Sequence, residues 1–206
     1  MNDERAWADA RRVESWAGEF RINLIRLVAI AGFYGYHLLD TYLLRPGDEE
    51  VAGRYHTQIT ILALAWAVGA MAMHLYLVNR WVPAALKYIA TAWDLVMVTA
   101  LLMIGQDPHN LLTVLYVVVI AAAALRLDLT LIYASTMASM LGFLFFHGYI
   151  RYWLEWPEVH RLSHAQQTLF LLALAVTGLI AGQAVRQARR LSQGHPVTVI
   201  HNEPEA

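Results

Sequence analysis

The sequence predicts an all-α polytopic membrane protein, six transmembrane helices in one bundle with both termini in the cytoplasm. Three observations predict it: an apolar composition, six hydrophobic runs, and an uneven distribution of Lys and Arg. Hydrophobic residues make up 58% of the 206 and charged residues only 15%, with a mean hydropathy of +0.43. A soluble domain carries roughly 25% charged residues, so this balance points to lipid. A span needs about 20 mostly apolar residues to cross roughly 30 Å of hydrocarbon. Such runs lie at 23–44, 57–79, 85–105, 109–126, 129–150 and 165–186, separated by short breaks such as Arg45-Pro46-Gly47-Asp48 and Gln106-Asp107-Pro108.

Cytoplasmic loops are enriched in Lys and Arg. Once the six runs are threaded through a bilayer, Arg5, Arg11, Arg12, Arg21, Arg80, Lys87, Arg126, Arg186, Arg189 and Arg190 fall on one side. The other side holds only Arg45, Arg54, Arg151 and Arg161. The expected location is therefore a bacterial cytoplasmic (inner) membrane, multi-pass, with the lipid bilayer as the first partner. Trp81, Tyr88, Tyr149, Tyr152, Trp153 and Trp156 flank the runs as an aromatic belt does.

Three regions follow. Residues 1–22 mix acidic and basic side chains, contain no signal-peptide core, and place Val13, Trp16 and Phe20 on one helical side. They are expected to form a cytoplasmic amphipathic segment, either at the membrane surface or solvated. Residues 23–190 form the membrane domain, and 191–206 are expected to be a disordered cytoplasmic tail.

Several chemistries are disfavoured at once. A net charge of −1 argues against a nucleic-acid partner, which requires a basic patch. The chain has no cysteine, which excludes disulfides, thiolate catalysis and Cys-ligated clusters. Neither Gly-x-Ser-x-Gly nor His-Glu-x-x-His occurs, so no catalytic residue is assigned and the chain reads as a non-enzyme. Small residues recur at four-residue spacing in the fifth run, Ala134/Ala138 and Ser135/Ser139 with Gly142 nearby, and their default meaning is close helix packing.

Ionisable side chains in hydrocarbon are costly and mark functional hypotheses. Lys87, Thr91 and Asp94 stand at i, i+4 and i+7 and share a face of the third run. Asp94 has two candidate partners, His74 on the second run and Arg26 on the first. Together Arg26, His74, Lys87, Thr91 and Asp94 are the candidate polar switch, with a register-fixing structural clamp as the alternative. On the switch reading, Asp94→Asn is expected to alter output with little loss of protein. In the opposite leaflet His37 and His147 lie at matching depth, as axial ligands of a b-type haem in a helical bundle do. Gly32, Gly35, Gly142 and Gly148 would leave room beside them, and the aromatic segment 149–156 would border a quinone.

The stretch Leu86-Lys87-Tyr88, Trp93-Asp94-Leu95, Pro108-His109-Asn110-Leu111 and Ala121 through Leu129, with the exit Gln187-Ala188-Arg189-Arg190, resembles the six-helix membrane anchors that precede bacterial adenylate cyclases, diguanylate cyclases and sensor histidine kinases. The resemblance implies a non-catalytic sensor or anchor that couples a membrane or redox signal to a cytoplasmic partner. Such anchors are in turn similar to dihaem membrane subunits, which hold two haems with four helical histidines. Here only His37, His74 and His147 lie within spans, and His109 sits at the edge of the fourth. No output domain follows Arg190 in this sequence, so either an effector is recruited in trans or the module is adapted to stand alone, and a homo-oligomer is compatible with the pattern. The alternatives are a haem b, quinone-interacting redox protein and, last, a small-solute or ion transporter.

Overall fold

The computed structural model describes the backbone of residues 2–44, 49–79, 83, 85–105, 111–154 and 162–193, and side chains from Trp16 to Leu191 within those limits, residues 17, 40, 44 and 49–52 apart. Several sequence features lie outside the described residues: Arg45, Arg80, Trp81, His109, Trp156, His160, Arg161, His195, His201 and the segment 194–206. The side chains of Arg5, Arg11, Arg12 and Val13 do so as well.

Within that description the chain is all-helical: α1 (Asn2–Leu39), α2 (Glu49–Val78), α3 (Leu86–Gly105), α4 (Leu115–Ala124), α5 (Leu129–Tyr152) and α6 (His164–Gln193). A wider π turn, Asp40–Leu44, ends α1, and a 3-10 turn, Leu111–Val114, leads into α4. Five stretches are long and apolar enough to cross a membrane: Gly18–Leu43, Gly53–Val78, Leu86–Gly105, Leu129–Tyr152 and His164–Leu191. The fourth apolar helix, Leu111–Ala124, is shorter. At 1.5 Å rise per α-helical residue and 2.0 Å in the 3-10 turn it extends about 23 Å, short of the roughly 30 Å core. Among the described residues of the expected run 109–126, a 3-10 turn at Leu111–Val114 precedes the helix, which ends before Leu127, whose φ of 53° is left-handed and cannot continue a helix.

The N-terminal segment is continuous with the first apolar stretch. Residues 2–39 form one helix without a break, so the segment continues the axis of the first span. Its aromatic side chains pack on protein: the Trp16 indole N–H donates to the Leu77 carbonyl at 2.6 Å, and Phe20 lies 5.1 Å from the His74 ring. Likewise α6 runs on past Arg186 to Gln193.

The apolar core belongs to α3–α6. Val98, Leu102, Tyr116, Ile120, Phe143, Phe146, Ile150 and Leu174 are all buried in one cluster. Gly142 lets α5 approach the Thr99–Tyr116 hydroxyl pair (2.9 Å), since a Cβ there would stand 3.0 Å from both oxygens. On α6, Gly178 and Gly182 receive Thr136 and Tyr133 of α5. These glycines, four apart, are the small-residue surface that α5 packs against. A Cβ on Gly178 would fall 2.3 Å from Thr136 Oγ1. Gly178→Val should therefore destabilise the α5–α6 pair by about 1–3 kcal/mol, the usual cost of overpacking, and thermal unfolding in bicelles will show it. An unchanged midpoint would mean that α6 does not sit on Thr136.

By contrast α1 brings little apolar surface inside. Among its described residues Ile22 is the one buried hydrophobic, beside the buried polar residues Asn23 and Arg26. Leu24, Ile25, Val28, Phe33, Tyr36 and Leu39 are exposed, as a lipid-facing helix requires.

Candidate functional site: a polar latch on the first helix

Arg26 and Asp94 form a buried ion pair between α1 and α3. Arg26 Nε donates to Asp94 Oδ1 at 2.7 Å and Nη2 donates to Oδ2 at 2.7 Å, the two-pronged geometry that suits guanidinium and carboxylate. The Trp66 indole N–H of α2 adds a third bond to Oδ1 at 3.1 Å. On the other side of the guanidinium, Nη1 donates to Asn23 Oδ1 at 2.7 Å, and Asn23 Nδ2 donates to the Ala70 carbonyl at 3.1 Å. Three helices are thus joined by one chain of hydrogen bonds, Ala70–Asn23–Arg26–Asp94–Trp66. In a low-dielectric interior such a pair persists only when its remaining hydrogen-bonding groups are also satisfied, as they are here.

A second network lies about two turns nearer the chain termini. Arg126, in the turn between α4 and α5, sits 3.0 Å from Glu19 Oε1 of α1. It also donates to Thr91 Oγ1 (2.6 Å) and to the Lys87 carbonyl (3.1 Å) of α3. The adjacent Asp128 caps α5 by accepting from the Thr130 and Leu131 amides, and it pairs with Lys87. Between them, the Leu127 carbonyl accepts from Arg189 of α6. Residues 125–128 therefore hold α1, α3 and α6 at one end of the array. That turn includes a leucine in the left-handed region, at a cost of about 1–3 kcal/mol.

The expected switch set is divided by the structure. Arg26 and Asp94 come together, whereas Lys87 and Thr91 belong to the second network. His74 joins neither: its ring packs on Phe20, and its Nδ1 is buried with no partner among the described residues. Of the two candidate partners for Asp94, Arg26 is therefore the one it meets.

The two candidate haem ligands are held by separate contacts. His37 Nε2 lies 3.2 Å from His56 Nδ1 of α2, the rings stacked at 5.3 Å. His147 is buried with Nδ1 3.0 Å from its own helix's Phe143 carbonyl and its ring against Phe143 and Phe146. Gly142, expected to make room for a macrocycle, is instead filled by Thr99 and Tyr116, while Gly32, Gly35 and Gly148 face open space. His37 and His147 thus each have a neighbour in the protein, on α2 and on α5 respectively. Groups of three or more metal-ligating side chains are absent among the described residues.

Asn23, Trp66, Glu19, Arg126 and Asp128 escaped assignment from sequence. The signal was present in α1, where Glu19, Asn23 and Arg26 stand at i, i+4 and i+7, the same spacing as Lys87, Thr91 and Asp94 on α3.

Asp128 supplies a pH test. Burial works to raise its carboxyl, but hydrogen bonds from Lys87 and from the Leu131 and Thr130 amides, with the Lys87 charge, outweigh it and hold the group below the ordinary aspartate range. A depressed folded value means that this contribution is complete above about pH 3.9 and is lost only as pH falls through the lower, folded value. Amide exchange at Thr130 and Leu131 should therefore keep its protection down to that range and lose it below. Asp128→Asn keeps an N-cap acceptor and should remove the pH step. Loss of protection near neutral pH would contradict the assignment.

Comparison with protein-family models, with curated proteins and with solved structures finds no match to this chain.

Proposed function

We propose that this protein is a six-span, non-catalytic membrane sensor or anchor, both termini cytoplasmic, in which α1 is the element that moves. One observation carries the reading: beyond the packing of Trp16 and Phe20 on Met73, Leu77, Leu86 and Ala90, α1 is fastened to the bundle by a row of polar contacts, Asn23–Ala70, Arg26–Asp94, Glu19–Arg126 and Trp16–Leu77. Between helices in lipid there is little hydrophobic drive, and packing and hydrogen bonds decide association. A helix latched by a few polar contacts has a second arrangement within a few kcal/mol, which is what a population shift requires. A separate network, Glu19–Arg126, joins α1 to residues 125–128, which also grip α6, so a displacement of α1 is delivered to the ends of both α1 and α6. The six-helix resemblance at Leu86–Leu129 supports the same class, with a cytoplasmic effector in trans as the partner.

The absence of native cysteine allows a direct test. Arg21→Cys and Arg190→Cys, both exposed, are spin-labelled in nanodiscs and the interspin distances are measured with and without the apolar pair Arg26→Met/Asp94→Leu. A broadened or displaced distribution in the apolar-pair protein supports the sensor reading. An identical distribution would show that the latch does not govern the helix ends, and the reading would be abandoned.

A further inference from the structure

Between α1 and α4 lies a lateral cleft of about 290 Å³. It follows α1 from Ile22 to His37, about 22 Å at 1.5 Å per residue. Its walls are aliphatic and aromatic, with Ile30 and Phe33 of α1 facing Val118 and Leu115 of α4. Ligand pockets run from roughly 300 to 1,000 Å³, so this cleft holds a single chain or small ring.

Polar groups occur at two levels. Toward the chain termini are Arg26, Trp66 and Asp94, and toward the other end are Tyr34, His37 and Tyr55. The first group is charge-balanced, because the guanidinium and carboxylate neutralise one another at 2.7 Å. A headgroup carrying its own charge would enter this interior without a counter-ion, which is strongly unfavourable. A headgroup with a hydroxyl needs only hydrogen bonds: the Thr60 proton goes to the His56 carbonyl, so Tyr34 donates to Thr60 and keeps its oxygen to accept from an incoming hydroxyl. The walls suit an alkyl or prenyl tail, and the cleft's openness along α1 and α4 gives access from the lipid phase.

From these features we infer that the cleft binds one uncharged, long-chain alcohol drawn from the bilayer, its hydroxyl head at Tyr34 and its tail over the Arg26–Asp94 pair. The inference deepens the sensor reading by naming the class of signal. Occupancy places a chain against α1 directly beside the Arg26–Asp94 latch. Binding is measured separately from movement of the helix ends, so either result can fail alone.

The test is photo-crosslinking in nanodiscs with a long-chain alcohol carrying a diazirine in its tail, and with the matching carboxylate. The alcohol is expected to label Ile25, Phe33 and Val118 in preference to Leu172 on the exposed face of α6, and excess unlabelled alcohol is expected to suppress this. The carboxylate should label the cleft about tenfold less, a difference of about 1.4 kcal/mol. Ala29→Trp fills the cleft from the α1 wall and Ala122→Trp from the α4 wall, and either should abolish cleft labelling while leaving Leu172 labelled. Labelling of the cleft no stronger than that of Leu172 would show bulk lipid alone and overturn the proposal. Equal labelling by the carboxylate would overturn the uncharged headgroup, and undiminished labelling in both Trp variants would overturn the site.

Discussion

Asp94→Asn should lower stability by about 3–5 kcal/mol, because it leaves the Arg26 guanidinium buried without its counter-charge. The size of the effect follows from geometry: Arg26 spends two of its nitrogens on that carboxylate, its side chain is 7% exposed, and Asp94 is 14% exposed. The switch reading expects a mild Asn variant; the buried arginine partner is the reason to expect a larger loss. The informative protein is the double variant Arg26→Met/Asp94→Leu. Replacing a whole buried pair by apolar residues of similar volume is often neutral or stabilising, so it should unfold within about 1 kcal/mol of the wild type. Unfolding in detergent mixtures or steric trapping in bicelles will separate the two. If the double variant is as unstable as Asp94→Asn, the pair is required for the fold and the latch is structural.

The second large effect is expected at Arg126. Arg126→Met removes the contacts to Glu19, Thr91 and the Lys87 carbonyl together and strands Glu19, which is 11% exposed. A loss of about 3–5 kcal/mol is expected, as for any buried pair broken on one side. Glu19→Gln retains an acceptor but leaves Arg126, 4% exposed, without its counter-charge, so it too should cost about 3–5 kcal/mol. A double-mutant cycle on Glu19 and Arg126 should give a coupling of about 0.5–3 kcal/mol, the range for residues in one network. Zero coupling would mean that Arg126 acts through α3 alone.

Helix identity was legible in the sequence because apolar runs leave the backbone no option but to bond internally. The runs 85–105 and 129–150 coincide closely with α3 and α5. The limits of α4 were not legible, because the left-handed Leu127 is a conformation that leucine rarely adopts and its sequence does not announce it. Arg26 and Asp94 were legible as costly groups needing partners, and Arg26 was one of two choices. His74 had equal standing on depth alone, and only the rotation of α2 about its axis, which places Trp66 at Asp94 and His74 at Phe20, separates them. Arg126 was read through the distribution of positive charge, a rule about loops that does not say whether the side chain turns back into the protein. His37 and His147 shared a depth, but depth is one coordinate of three, and their contacts lie on different helices.

The uneven burial of apolar surface has a consequence for how the molecule comes apart. Leu95 through Leu174 give α3–α6 a continuous interior, while α1 from Ile22 onward contributes Ile22 and a row of polar contacts, its aromatic packing lying earlier, at Trp16 and Phe20. Cooperative units of a protein open at free energies that follow their buried contacts. Hydrogen exchange should accordingly show two foldons, with amides of α1 from Ile22 to Leu39 exchanging through a sub-global opening that leaves those of Val98, Ile120 and Phe143 protected. The first helix is then a module that can dissociate and redock while its neighbours remain assembled.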